Sequence, residues 1–448
     1  MKFTLRLSLL FICFSNIASA QSIWSLRQCI NYALENNIQI KQAGLNAQNA
    51  QLTYDESKYS FLPSANADLS HSYNFGRSVD PSTNIYVTNK QIQANSFSLT
   101  SSVTVFNGFQ KQNQLAVNHL ELEASMADLL KAKNDIAMNI TSAYLNVLYT
   151  EEQLRAAKKQ METTVLQRQQ TERLVAAGNL AELSLKDVDA QLANEELNIV
   201  NAANNQRMAI LKLLQLLQLP TNYELDVDST VMQQFTADAF VPTPEMIYDY
   251  ARTAQPVILA QQYRVAVAKR NVDLRKGSML PTLSLFGSLR TNYSSAAYQL
   301  VAPQQIEKIS FNDQLSQNFG KAVGLSLSVP IFNGYQAKTN YKKSTLNLLY
   351  TKYTMELTEN QLKQEIAQAY ANRLAAEAKY KATIKYVESL QAAFEANTKK
   401  FNAGVINALE FNTAKNNLSK GQSDLINAKF DYYFKMKIID FYMGRPLF

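Results

Sequence analysis

The chain has 448 residues, 46% apolar, 18% charged and 10% aromatic, with 12 Gly, 10 Pro and 2 Cys. Its mean hydropathy of −0.22 excludes a polytopic helical membrane protein, and past the leader no apolar run reaches the roughly 20 residues a membrane helix needs. The net charge of +7 is spread without a Lys/Arg block, so it does not point to nucleic acid, and the scarcity of Gly and Pro predicts few reversals and long elements.

Residues 1–20 have a basic start (Lys2, Arg6), an apolar stretch from Leu7 to Phe14 and a small-x-small ending, Ala18-Ser19-Ala20. That pattern is a secretory signal peptide. Cys13 leaves with it, and Cys29, the remaining thiol, is expected as a buried small hydrophobe on the first helix. A leading helix is expected over about 22–58. Two segments of period-two alternation follow, Ser64–Phe75 and Ser96–Phe106. In the first, Ala65, Ala67, Leu69, His71, Tyr73 and Phe75 share one face. In the second, Phe97, Leu99, Val103 and Val105 oppose Ser98, Thr100, Ser102 and Thr104. Residues 110–176, with no Pro and rich in Ala, Leu, Gln, Glu and Lys, predict one helix of about 100 Å. Asn107 is its expected N-cap, with Gln110 at the capping-box position. Gly178 is a left-handed stop and reversal, and 180–217 returns as a helix. Along the long helix the apolar steps at Leu120, Leu122, Met126, Leu129 and Leu130 suit antiparallel helix packing.

The same order then repeats: a helix over 244–278, alternating segments Thr282–Tyr293 and Lys321–Phe332, a long helix over 336–402, and a return over 406–443. A shift of 226 residues lays Val105-Phe106-Asn107-Gly108-Phe109-Gln110 on Ile331-Phe332-Asn333-Gly334-Tyr335-Gln336, and Ala177-Gly178 on Ala403-Gly404. Upstream, Phe61-Leu62-Pro63 matches Met279-Leu280-Pro281 at a slightly different shift. The chain is therefore a tandem duplication: signal peptide 1–20, first structural repeat 21–230 and second structural repeat 231–448. Each repeat holds a helix, a β-hairpin and a long helical hairpin.

Each alternating segment runs about 11–12 residues, the length of a tilted strand crossing a bilayer, with the apolar face outward and the polar face inward. Four strands cannot close a barrel, and open edges in lipid leave backbone groups unpaired. The chain must therefore assemble into a barrel of a multiple of four strands. Pro330, at the expected end of the fourth strand, lacks a ladder donor and is read as the bend from tilted strand to helix. Tyr73, Phe75, Phe97, Phe106, Phe109, Phe286, Tyr293, Phe332 and Tyr335 sit at strand ends and junctions, as an interfacial girdle does.

The tandem halves, the two Phe-Asn-Gly junctions, the Leu-Pro hairpin entries and the Ala-Gly turns resemble the TolC-like outer membrane efflux proteins over about 22–448. The resemblance implies a mixed α/β membrane protein: a homotrimer with a 12-strand outer-membrane barrel and a periplasmic 12-helix α-barrel. It implies an exit duct of a tripartite efflux pump or type I secretion system in a Gram-negative outer membrane. Its implied partners are outer membrane lipids, a periplasmic adaptor contacting the turns at Gly178 and Gly404, and an inner-membrane transporter of RND, ABC or MFS type. Family members close the tunnel with acids six and nine residues after the turn Gly. Those positions are Glu410 and Thr413 in one half and Ser184 and Asp187 in the other, so the resemblance implies a constriction with one acid per half, Glu410 and Asp187. Asn107, Gly108, Asn333, Gly334 and Pro330 mark the strand-to-helix junctions.

A periplasmic adaptor or a structural coiled-coil stalk is the competing reading. His71, His119 and Cys29 show no metal-ligand spacing, and neither a phosphate loop nor a nucleophile elbow is present. No enzyme activity, cofactor or nucleic-acid partner is expected.

Overall fold

A computed structural model describes residues 23–79, 86–87, 91–232, 242–302 and 305–445. The signal peptide lies outside the described residues. The helices are α1 (Leu26–Asn36), α2 (Ile38–Tyr59), α3 (Gln110–Ala176), α4 (Glu182–Leu217), α5 (Pro244–Ala254), α6 (Pro256–Gly277), α7 (Phe311–Gln317), α8 (Gln336–Asn402) and α9 (Ala408–Tyr442). The strands are β1 (Ile23–Trp24), β2 (Ser64–Asn74), β3 (Ser78–Val79), β4 (Tyr86–Val87), β5 (Ile92–Phe106), β6 (Asp226–Val227), β7 (Thr282–Ser294), β8 (Tyr298–Ala302), β9 (Gln305–Lys308) and β10 (Gly320–Ser328). The chain divides into two compact units, and α3 and α8 contribute residues to both.

One unit comprises residues 1–42, 130–255 and 361–448. Helix α1 opens with a reciprocal capping box, Ser25 with Gln28, and α5 opens with Thr243 as N-cap and Pro244 behind it. Each expected leading helix is in fact two. The backbone leaves helical geometry at Asn37 (ψ 129°) and at Gln255 (ψ 127°). Gln255 precedes Pro256, which disfavours the helical region for the residue before it. Both breaks are held alike: Asn37 Nδ2 donates to the Leu216 carbonyl at 3.0 Å, and Gln255 Nε2 donates to the Phe441 carbonyl at 3.2 Å. Each acceptor lies in the last turn of a return helix, where carbonyls lack intrahelical donors. The parallel pair β1–β6 is tied to α3 by Tyr144, fully buried, whose hydroxyl lies 3.0 Å from the Trp24 carbonyl and 2.8 Å from that of Asp228. Burial pushes this phenol above its ordinary range. Leu26, Ile30, Ile140, Leu213, Leu214 and Leu217 are buried in the same unit. Cys29 lies in this core, as expected.

The other unit comprises residues 43–129 and 256–360. Its centre is a four-stranded antiparallel sheet in the order β10-β7-β5-β2. The two hairpins pair with each other through β5 and β7, and β2 and β10 form the outer strands. Helix α7 occupies the flank of β7 beyond the end of β10. There the Gln314 amide acts as a strand would: its Oε1 accepts from Ser294 N at 2.8 Å and its Nε2 donates to Ser294 O at 3.0 Å. Asn318 Nδ2 donates to Asn292 O at 2.9 Å. The 294–320 connection is thus partly ordered structure, where a long loop was expected. The helical stripe also differs from expectation. Ala124 and Ala127 are buried with Leu122, whereas Met126 and Leu130 are exposed, so small residues carry the closest approach.

Two expectations at the junctions need correction. The fourth strand ends at Ser328, and Pro330 lies beyond the ladder. Ser328 pairs with Thr282; past it Pro281 and Pro330 both lack an N–H, and the Leu280 N–H is taken by the Gly277 carbonyl in the entry turn, so the ladder within this chain loses donors there. Second, no capping box forms at Asn107. Its Oδ1 accepts from Lys111 N at 3.3 Å, but the Gln110 amide donates to the Asn107 carbonyl at 2.9 Å. Gly108 and Phe109 intervene, both left-handed (φ 66° and 64°), and Gly334 and Tyr335 do the same at the second junction (61° and 62°). Asn333 Oδ1 correspondingly accepts from Ala337 N at 3.5 Å. Each junction is braced by an edge-to-face aromatic pair, Phe106–Phe109 at 5.4 Å and Phe332–Tyr335 at 5.6 Å.

At Gly108 a Cβ would stand 2.3 Å from the Gly277 carbonyl and 2.8 Å from Leu280 Cβ. We expect Gly108→Ala to lower stability by more than about 2 kcal/mol, since left-handed backbone alone costs an alanine about 1–2 kcal/mol, as read by unfolding of the detergent-solubilised protein followed by circular dichroism. The Cys29 thiol is pushed up to about 12 by burial. A raised folded-state value means that the neutral thiol stabilises the fold below its ordinary 9.0 and that this contribution is lost as pH rises towards about 12. Native protein at pH ~8 should therefore leave Cys29 unmodified by a thiol reagent, with stoichiometric labelling after unfolding; labelling of the native form would contradict the burial.

Candidate functional site

The two helical hairpins reverse at Gly178 and Gly404, both left-handed (φ 76° and 71°). At each, paired bonds close the end of the long helix: Asn179 N to Leu174 O and Gly178 N to Val175 O, then Val405 N to Lys400 O and Gly404 N to Phe401 O, all 2.8–2.9 Å. This is the Schellman arrangement, whose left-handed residue is most cheaply a glycine. The expected reversal is found at both turns.

Just beyond the second turn, Asn407 caps α9. Its Oδ1 accepts from Glu410 N at 2.9 Å and its Nδ2 donates to Glu410 Oε1 at 3.4 Å. Glu410 is exposed in the first turn of the helix, where a carboxylate is favoured by the unsatisfied N–H groups. Thr413, three residues on and on the same face, turns its hydroxyl back to Leu409 O at 2.7 Å. In the first half, α4 begins after Ala181 with no side-chain cap. Ser184 N donates to Ala181 O at 3.0 Å, and Asp187 is exposed. The chain brings Glu410 and Thr413 together on α9 and Ser184 and Asp187 together on α4; no ion pair or hydrogen bond joins the two pairs.

A second feature was not anticipated. Lys415 of α9 is 3% exposed and Glu195 of α4 is 4% exposed, with Lys415 Nζ 3.6 Å from Glu195 Oε1. Lys415 Nζ also donates to Thr164 Oγ1 and, at 3.2 Å, to Gln167 Oε1. Glu195 Oε1 accepts from Gln160 and Gln191, while its Oε2 is buried without a partner. Burial holds the lysine below its usual value, and Glu195 opposes that shift. Three helices thus meet on one ion pair. The seam continues as Gln167 Nε2 to Asn412 Oδ1 at 2.9 Å, Gln170 Nε2 to Asn402 Oδ1 at 3.1 Å, and a reciprocal Gln153–Ser423 contact. A polar cavity of about 370 Å³, lined by Gln153, Gln160, Glu195, Asn198 and Ser423 among others, lies beside it. The sequence carried one signal for this seam: glutamines at 153, 160 and 167, one heptad apart, where a coiled coil ordinarily places apolar residues. Within each hairpin the contact differs. Arg168 Nε meets Asp189 Oδ1 at 2.7 Å across α3 and α4, whereas Phe411 stacks on Phe401 (4.7 Å) and lies tilted against Phe394 (5.6 Å) across α8 and α9.

These features define a class: a duplicated envelope protein with a membrane-type β-hairpin and a long helical hairpin in each half. The family model described as "Outer membrane efflux protein" matches residues 29–218 and 247–443. The chain belongs to that family, and its place is the outer membrane, with a helical extension into the periplasm. It is 23% identical over 424 residues to the outer membrane protein TolC of Escherichia coli (strain K12), covering 94% of this chain and 81% of the relative. It is also 23% identical over 311 residues to the alkaline protease secretion protein AprF of Pseudomonas aeruginosa, covering 69% and 61%. Among solved structures, the CmeC outer membrane channel of Campylobacter jejuni superposes with a TM-score of 0.78 at 18% identity, covering 94% of this chain and 85% of that one. The open state of the MtrE outer membrane channel of Neisseria gonorrhoeae gives 0.77 at 19%, covering 94% and 89%. The fold is thus that of the TolC-like channels, which sets the adaptor and stalk readings aside.

Removing the Lys415 cation leaves a buried, unpaired carboxylate. Lys415→Met should cost about 3–5 kcal/mol, and adding Glu195→Gln should recover at least about 1 kcal/mol of it. A double-mutant cycle by chemical denaturation reads both; additive losses would show that the two groups do not act on each other.

Proposed function

We propose that this protein is the exit duct of a tripartite efflux pump or type I secretion system. Three copies close a 12-strand barrel in the outer membrane and a 12-helix tunnel in the periplasm, each copy contributing two structural repeats, 21–230 and 231–448. The observation that carries the reading is the four-stranded sheet with two unpaired outer strands in a chain of this family. In hydrocarbon those edges need partners, and further copies of the same chain supply them. The duct is passive: a periplasmic adaptor and an inner-membrane transporter of RND, ABC or MFS type supply coupling and energy, with the adaptor meeting the turns at Gly178 and Gly404. The junctions at Asn107-Gly108 and Asn333-Gly334 turn the strands into the long helices, and Pro330 relieves the fourth strand's exit.

At the periplasmic end, Glu410 and Asp187, flanked by Thr413 and Ser184, form the constriction. Six carboxylates per trimer attract cations, because rings of charge in a narrow pore select by direct electrostatics. Two measurements test this. The detergent-extracted protein should show the native mass of a trimer; a stable monomer would remove the closure argument and with it the duct. In planar bilayers Glu410→Ala should reduce the cation-to-anion permeability ratio by about twofold or more; an unchanged ratio and conductance would exclude Glu410 from the constriction.

A further inference from the structure

The duplication carries more than the need for closure: it specifies the register of the contact between copies. A shift of 226 residues carries β5 onto β10, and a shift of 218 carries β2 onto β7, as Pro63 falls on Pro281. The two hairpins obey this mapping in their backbone pairing. Ser64 pairs with Ser102 in the first, and their counterparts Thr282 and Ser328 pair in the second. Ser70 pairs with Ser96, and their counterparts Ser288 and Ala322 pair likewise. The turns entering the hairpins correspond too: Leu62 N donates to Tyr59 O at 2.9 Å, and Leu280 N to Gly277 O at 3.0 Å. The chain also shows how one repeat meets the next, since β5 pairs with β7.

We propose that β10 pairs antiparallel with β2 of a neighbouring copy in the register that β5 keeps with β7. The proposal rests on the trimeric closure above and adds to it the residue pairs. Ser102 opposite Phe286, Thr100 opposite Ser288 and Leu99 opposite Leu289 translate to Ser328 opposite Asp68, Ser326 opposite Ser70 and Leu325 opposite His71 of the neighbour. Three observations support it. The register keeps faces in phase, setting the serines of β10 beside the Asp68–Ser70–Ser72 face and the apolar residues beside Leu69, His71 and Tyr73; a one-residue slip inverts every side chain. It gives the outer backbone edge of β10 a partner, in a strand whose Val323 is 82% exposed in the single chain. It also accounts for Pro330. Thr104, its counterpart, sits at the irregularity where pairing shifts between Thr104 and Phe106, a place where a missing N–H is tolerated. Residues 329–332, outside the ladder in one chain, then pair with 65–67 of the neighbour, and the fourth strand extends past Ser328 to Phe332.

Cysteine pairs in outer membranes of expressing cells test the register. Disulfides need Cα atoms within about 7 Å. Ser326→Cys with Ser70→Cys and, one residue along, Leu325→Cys with His71→Cys sample both kinds of antiparallel pair. At least one of them should give covalent oligomers on non-reducing gels, with a yield about tenfold above the slipped pairs Ser326→Cys with Asp68→Cys and Ser326→Cys with Ser72→Cys. The buried Cys29 is common to all variants and does not distinguish them. Cross-linking through a slipped pair, or through none of the pairs in a protein whose native mass is trimeric, overturns the register while leaving the duct in place. A monomeric native mass overturns both.

Discussion

A peptide group in hydrocarbon must bond to another peptide group, because no water is there to replace it. The outer edges of β2, eleven residues, and β10, nine residues, are where this chain meets that constraint. A soluble sheet hydrates its edges or screens them with charge. Here β10 carries one charge, Lys321, and β2 carries Asp68, so the edges have little of that screening. Where the chain does satisfy an edge itself, it does so at the end of β7, with the side-chain amides of Gln314 and Asn318 standing in for a strand. In the closure proposed above, the rest of the two edges is left for the backbone of other copies.

Duplication makes the chain self-consistent. The same local problems are met twice with the same devices: a left-handed Gly-aromatic pair turning strand into helix, a Schellman turn reversing the long helix, and an amide side chain holding a helix break against the end of a return helix. Where the devices differ, the difference is instructive. The return helices end on left-handed residues, Gln218 in the first half and Gly444 in the second. Only Gly adopts that conformation without a steric cost, so the first half carries strain that the second avoids. Gly108 and Gly277 touch backbone to backbone, while Gly334 has open space around it within the chain. The two halves therefore share a conformation without sharing its surroundings.

The alternating strands and the long helices were legible in the sequence, because periodicity and composition report them directly. The strands stood out through alternation, the long helices through the absence of Pro, and the reversals through Gly178 and Gly404. The breaks at Asn37 and Gln255 were not read. A single Asn inside a helical pattern is unremarkable by composition, and its partner carbonyl on Leu216 lies far along the chain. Pro256 did mark the second break, through its effect on the preceding residue. The Lys415–Glu195 pair was hidden for a related reason: charged residues on a polar helix read as solvated until a third helix is known to cover them. Glu410 and Asp187 were singled out through family resemblance alone; within one chain they are exposed acids near the starts of α9 and α4.

The polar seam between the two helical hairpins completes the argument. Apolar surface separated into water loses roughly 25 cal/mol for each Å² exposed. An amide seam exchanges protein hydrogen bonds for water bonds at a net cost of only about 0.5–1.5 kcal/mol each. The contacts linking Gln153, Gln167 and Gln170 of α3 to α8 or α9 are of the second kind, whereas the Phe394–Phe401–Phe411 contact inside the second hairpin is of the first. Over residues 153–170 of α3 the softer boundary therefore runs between hairpins, although just before them Tyr149 and Phe430 add an aromatic contact at 5.9 Å, and the firmer one runs within the second hairpin. The exception on the soft boundary is Lys415: separating it from Glu195 hydrates two ions that burial had stripped, so their lost attraction is offset by recovered solvation. A buried ion pair among amides specifies how the hairpins align while adding little to the work of parting them.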